Sequence, residues 1–192
     1  MGDRTDIWLE FNKADEAMVD AGAMEACGAP FDDKMDRSVY VKARMSDVNY
    51  GGESLYAWLN VHHVPFVAFW ANGDTYGPGL IACDGWDRRD IECTQNGYPV
   101  VMVDPPDTPC ARDLSSARVY FRLRDKVIRL LAMVPEEYLT AKRRMASART
   151  AMLRRQFAAK PMPGNRGILA AAGPSAGPSA GPSARPMVRR MG

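Results

Sequence analysis

The chain has 192 residues, 46% of them hydrophobic and 25% charged, an ordinary globular composition with enough length to bury a real core. No apolar run approaches the roughly 18 residues that a membrane helix needs, and the opening MGDRTDIWLEF is acidic, unlike a secretory leader. The net charge of +2 conceals a division: residues 1–110 hold 8 Lys and Arg against 19 Asp and Glu, whereas residues 111–192 hold 17 against 4. An acidic front at −11 and a basic back at +13 predict two physically different parts. The basic part suits a polyanion, or else docks on the acidic part of its own or a sister chain.

In chain order, residues 6–26 read as an amphipathic helix. Ile7, Phe11, Ala14, Met18 and Ala21 recur at alternating four- and three-residue spacing, which keeps them on one face. Thr5 or Asp6 is the expected cap, and Gly22 or Gly28 the expected end. From Ser38 to Val103 the period becomes two. Val39, Val41, Ala43 and Met45 alternate with Tyr40, Lys42 and Arg44, and Leu55, Ala57, Leu59 and Val61 with Tyr56, Trp58, Asn60 and His62. Further strands are expected at Phe66–Ala71, through Leu80–Ala82, and at Ile91–Gln95 and Tyr98–Val103. Asn72-Gly73 and Asn96-Gly97 carry the tight-hairpin signature, because a type I′ turn needs two positive φ angles.

The proline-rich stretch Asp104–Pro109 marks a boundary. Beyond it Leu114, Ala117, Phe121, Ile128 and Leu131 suggest a helix, with a strand at Val119–Leu123 as the competing reading. Pro135, followed by Glu136 and Glu137, fits the first turn of another helix. From Lys160 the periodicity vanishes, and Gly-Pro-Ser-Ala repeats three times over residues 173–184. Nothing in that repeat offsets the roughly 1–2 kcal/mol per residue of backbone entropy lost on ordering, so a flexible spacer is expected.

These elements predict an α+β protein: an N-terminal helix packed on an antiparallel β-meander of five or six strands, followed by two helices and a disordered tail. The expected organisation is an acidic α+β domain (1–104), a Pro-rich linker (105–110), a basic helical segment (111–158) and a disordered tail with a basic end (159–192).

The candidate nucleic-acid-binding residues are Arg143, Arg144, Arg149, Arg154 and Arg155, with Arg189 and Arg190 on the tail. Guanidinium groups on several sides of a helix neutralise phosphates without reading sequence. The two arginine pairs lie eleven residues apart, about three turns, so they face the same directions. Tyr138, Met145 and Met152 form a narrow stripe suited to a protein contact or self-association. That stripe is too thin for a membrane helix, and no membrane partner is expected.

Four cysteines, Cys27, Cys83, Cys93 and Cys110, contain no C-x-x-C pair and are expected to be reduced thiols in a cytoplasmic protein. His62 and His63, read as strand neighbours, point to opposite faces and cannot clasp one metal. Neither metal nor cofactor is expected. Glu53, Asp84, Asp87, Asp90 and His63 are the candidate groups of a small enzyme, but no catalytic motif accompanies them. Tyr40, Tyr56 and Trp58, with Trp70 and Tyr76 near them, are an aromatic platform if they share an outward face. The reading with most support is a non-enzymatic binding protein, its acidic domain contacting protein and its basic helices contacting nucleic acid. A structural protein assembling through helices 111–158 is the alternative.

Overall fold

The structure, a computed structural model, describes residues 4–73, 77–104 and 108–159. Strand β1 (Arg4–Asn12) leads through a 3-10 turn into helix α1 (Glu16–Cys27), followed by β2 (Asp33–Asp36), β3 (Tyr40–Asn49), α2 (Glu53–Val61) and β4 (Pro65–Trp70). Then come β5 (Gly79–Asp84), β6 (Arg88–Glu92), a two-residue ladder of β7 (Val103–Asp104) with β8 (Thr108–Pro109), and the long helices α3 (Ala111–Leu131) and α4 (Pro135–Ala159). Six strands form one sheet in the order β2-β3-β1-β4-β5-β6, antiparallel throughout. The α+β class and the antiparallel sheet are as the sequence predicts. Its first half is a split βαβ arrangement, with β1 set between β3 and β4.

Two segments take the opposite type from the sequence reading. Residues 6–12 are strand, because Ile7, Leu9 and Phe11 also satisfy a period of two, and all three are fully buried while Trp8 faces outward. Placed within the sheet, β1 gains ladder partners on both sides, which outweighs the helical spacing of Ile7 and Phe11. Residues 53–61 are helix: Leu55, Tyr56 and Leu59 are buried, the i, i+1, i+4 pattern of one helix face. Val61, which the strand reading places inside, is 73% exposed. Gly51 and Gly52, at φ 64° and 79°, turn the chain into α2 in a conformation that glycine adopts without strain.

Helices α1 and α2 pack together on one sheet face, over a core of Ile7, Leu9, Phe11, Val41, Phe66, Val19, Leu55 and Leu59. Each such side chain contributes about 1.5–3 kcal/mol on full burial. Trp58 lies so close over Gly22 that a Cβ there would meet its ring at 2.6 Å. Helix α3 covers the opposite face. It packs chiefly on β5, then on β4 and β6, burying Tyr120, Val127, Leu130 and Leu131. Ala82, between the core residues Ile81 and Cys83, is buried on this second side.

The chain does reverse at Asn96-Gly97, but not in the expected type I′ turn: Gly97 is at φ 77° while Asn96 keeps a negative φ, Gly97 N–H closes the turn on the Thr94 carbonyl at 2.9 Å, and in place of the expected strand at Tyr98–Val103 the ladder beyond it is the single Cys93–Pro99 bridge. The hairpin of β4 with β5 also forms, yet its last pair is Trp70–Gly79, so the connection is longer than Asn72-Gly73 alone. The expected helix forms as α3, so the competing strand at Val119–Leu123 does not, and Pro135 opens α4 as predicted. Two compact units result, Met1–Met152 and Leu153–Gly192. Of the second, the helical residues to Ala159 are described. The Gly-Pro-Ser-Ala repeats, Arg189 and Arg190 lie outside the described residues.

Candidate nucleic-acid interface

Helix α4 divides its basic residues between two fates, and the division begins at the end of β1. Asn12 is fully buried. Its side-chain oxygen accepts from Ala14 N–H at 2.9 Å, and its amide donates to the carbonyls of Leu131 at 3.1 Å and Met133 at 2.9 Å. Those carbonyls close α3 and would otherwise lack partners. One side chain thus fixes the α3–α4 turn against the sheet.

Asp15 does the same for α4. Only 4% exposed, it accepts a short hydrogen bond from the Tyr138 hydroxyl, and both its oxygens accept from the Lys142 ammonium, at 2.8 and 2.9 Å. Tyr138 is 0% exposed, so this member of the predicted contact stripe makes its contact inside its own chain. Burial, then the adjacent carboxylate, push its phenol far above the ordinary value, keeping it a donor.

A turn further along α4, Met145, Ala148, Arg149 and Met152 face the loop from Asp84 to Asp87 across a depression of about 240 Å³, which Trp86 and Lys126 also line. Asp84 organises that loop. Its Oδ1 accepts from the N–H groups of Trp86 at 3.0 Å and Asp87 at 2.8 Å, and its Oδ2 pairs with Lys126 of α3. Burial alone would raise the Asp84 carboxyl, but Lys126 and the two N–H donors outweigh it and hold it below the usual carboxylate range. Arg149 reaches Asp87 at 3.6 Å. Gly85 (φ 93°) is required, since a Cβ there would lie 2.8 Å from the His63 carbonyl oxygen.

The remaining arginines of α4 differ in exposure and pairing. Arg143 and Arg144 in the first unit, and Arg154 and Arg155 in the second, are all exposed. Among the described residues no acidic group pairs with any of them: the pairs formed by α3 and α4 use Lys126, Lys142 and Arg149. Arg118, Arg122 and Arg129 of α3 are likewise exposed and outside those pairs. Met152, at 49% exposure, stands at the open edge of the depression, and Met145 is half-buried.

The acid–base candidates are separated. Glu53 holds Arg88 through two bonds of 2.7 and 2.6 Å, Asp84 holds Lys126, and His63 Nδ1 lies 2.7 Å from the Gly85 carbonyl oxygen with its ring stacked on Trp86. Asp90 approaches Arg88 at 3.9 Å. His62 follows α2 and stacks on Trp58, so the two histidines are not strand neighbours. Among the described residues no three His, Cys, Asp or Glu side chains gather as a metal ion would require. All four cysteines are free thiols, and burial pushes the Cys83 thiol up to about 11.

The aromatic platform does not form from the residues expected. Because 53–61 is helix, Tyr56 is buried against Phe66 and Trp58 packs on α1, while Tyr76 lies outside the described residues. The outward aromatic is Trp8, 37% exposed, beside Phe69 and beneath the Arg44 guanidinium. The groups that sequence reasoning missed are Asn12, Asp15 and Lys126. Each acts on a partner 42 to 127 residues away in the chain, which no local spacing signals.

Comparison with models of known protein families, with curated proteins and with solved structures finds no match to this chain. Among the described residues no helix is long and apolar enough to cross a membrane.

Proposed function

We propose that the protein is a non-enzymatic binding protein whose helix α4 engages nucleic acid through its phosphate backbone, independently of sequence. One observation carries the reading. The cations Lys126, Lys142 and Arg149 are matched by Asp84, Asp15 and Asp87, while Arg143, Arg144, Arg154 and Arg155 stay exposed without acidic partners among the described residues. Exposed arginine carries planar donors suited to phosphate oxygens, and binding by several of them releases counterions. The mixed charge around Trp8, where Asp6 and Glu10 pair with Arg44 and Lys42, gives phosphates no net attraction, so the sheet is the lesser candidate.

The test is binding of double-stranded DNA and of RNA at increasing salt, for the wild type and for Arg143→Ala/Arg144→Ala/Arg154→Ala/Arg155→Ala. The wild type should bind at low salt, and the variant should lose about 3–4 units from the slope of log affinity against log salt, near 0.9 per phosphate. No wild-type binding at low salt, or an unchanged slope in the variant, refutes the reading.

A further inference from the structure

We infer that the outer edge of β6 takes up an extended peptide of a protein partner in which basic side chains alternate with apolar ones. Strand β6 is the last strand of the six-stranded sheet. Asp84 N–H bonds the Asp87 carbonyl at 3.1 Å and Cys93 N–H the Pro78 carbonyl at 3.0 Å, which fixes the closely bonded pairs of the β5–β6 register. Such pairs alternate along an antiparallel ladder. Arg89 and Ile91 therefore turn their backbone groups to β5, and Arg88, Asp90 and Glu92 turn theirs outward. The Glu92 carbonyl accepts from Val100 N–H at 3.0 Å, and beyond that bond the returning segment splays away. Met102 N–H goes to the Asp113 carboxylate at 3.1 Å, and the Met102 carbonyl accepts from Cys110 N–H at 2.8 Å. Among the described residues nothing bonds the outward backbone groups of Asp90.

The splay opens a groove of about 300 Å³. Ile91, Val100, Met102 and Ala117 give it apolar walls, and Val100 and Met102 are 45% and 65% exposed. Among the described residues its charged groups are all acids, Asp90, Glu92 and Asp113. Glu92 enters no ion pair among the described residues, and Asp90 reaches only Arg88, at 3.9 Å, whose guanidinium Glu53 already holds at 2.7 and 2.6 Å. Arg89 and Arg112 are exposed nearby in the chain but do not line the groove. These features select the occupant. A strand added to an edge satisfies the free backbone groups, and its side chains alternate between the two faces. Asp90 and Glu92 meet cations on one face, while Ile91, on the α3 side with Ala117, meets apolar groups on the other. The same carboxylates repel a polyanion, so this edge and the α4 arginines stand or fall separately.

Fluorescence anisotropy of the full chain with a short labelled peptide alternating lysine and valine tests it. The peptide should bind saturably at about 0.1 M salt and more weakly at about 1 M, where screening shortens from about 10 Å to about 3 Å. Replacing its lysines by glutamates should abolish binding, and N-methylating its amides, which removes every donor to the edge, should weaken it roughly tenfold or more. Asp90→Lys/Glu92→Lys, two exposed positions checked for folding by circular dichroism melts, should weaken it by a similar factor. Failure of the lysine–valine peptide to bind at low salt overturns the proposal, as does equal binding of the glutamate peptide or an unchanged affinity in the variant. Undiminished binding of the N-methylated peptide would reduce the contact to charge alone and overturn strand addition. A dimer in sedimentation that Asp90→Lys/Glu92→Lys dissolves would assign the edge to a second copy and likewise overturn it.

Discussion

The two faces of the sheet are covered by different physics. On one, α1 and α2 sit over a continuous apolar cluster from Ile7 to Cys83. On the other, α3 buries fewer apolar residues, and three long-range polar anchors, Asn12, Asp15 and Asp84, tie α3 and α4 down. Apolar burial is tolerant of exact geometry, whereas a buried carboxylate must find its cation and its donors or cost several kcal/mol. The second face is thus fixed in register by its charges. Three cations of the back half, Lys126, Lys142 and Arg149, meet acids of the front half, and the other arginines of α4 are left exposed.

The largest expected effect lies in the apolar face. Phe11→Ala should lower unfolding free energy by about 3–5 kcal/mol, read by urea denaturation, with hydrogen-exchange protection falling across the whole sheet. Asp15→Asn comes next. Removing the charge leaves Lys142, only 18% exposed, without its partner, at a cost of about 3 kcal/mol. Protection should fall first in α4 while β1, β3 and β4 keep theirs. Equal loss in both regions would erase the distinction between the two faces.

Asp84→Asn is third, at about 1–3 kcal/mol, and its effect should depend on pH. The folded carboxyl titrates below its unfolded value, so the stability it supplies is present above the unfolded pKa, near 3.9, and is lost as pH falls through the lower folded value. Wild type and variant should therefore converge in melting temperature on acidification to about pH 2–3. Smallest is Arg149→Ala, whose half-exposed pair with Asp87 should be worth no more than about 1 kcal/mol, and less in high salt.

The α+β class, β3, β4, β5 and the two C-terminal helices were legible from alternation in β3 and from the glycines and prolines that bound the others, although the inner face of α3 was not, since Phe121 and Ile128 are exposed and Tyr120 and Val127 are buried. Residues 6–12 and 53–61 were not, and for one reason. Ile7-x-Leu9-x-Phe11 and Leu55-x-Ala57-x-Leu59 each satisfy a period of two while their first and last residues, four apart, also satisfy a helical one, and tertiary packing decides between them. At the candidate site, the exposed arginine pairs could be read directly from the sequence. The selection of Lys142 and Arg149 for internal pairing could not, since it depends on where Asp15 and Asp87 come to rest in the fold.

The most direct measurement compares the two sides of α4 in one assay, the salt dependence of double-stranded DNA binding. Arg143→Ala/Arg144→Ala should reduce the log–log slope by about 2, whereas Arg149→Ala, whose guanidinium is engaged by Asp87, should leave it unchanged to within about 0.3, well under one phosphate contact. If Arg149→Ala lowers the slope as much per residue as the outward pair does, or if the outward pair changes nothing, the partition of α4 into an internally paired side and a free cationic side is wrong.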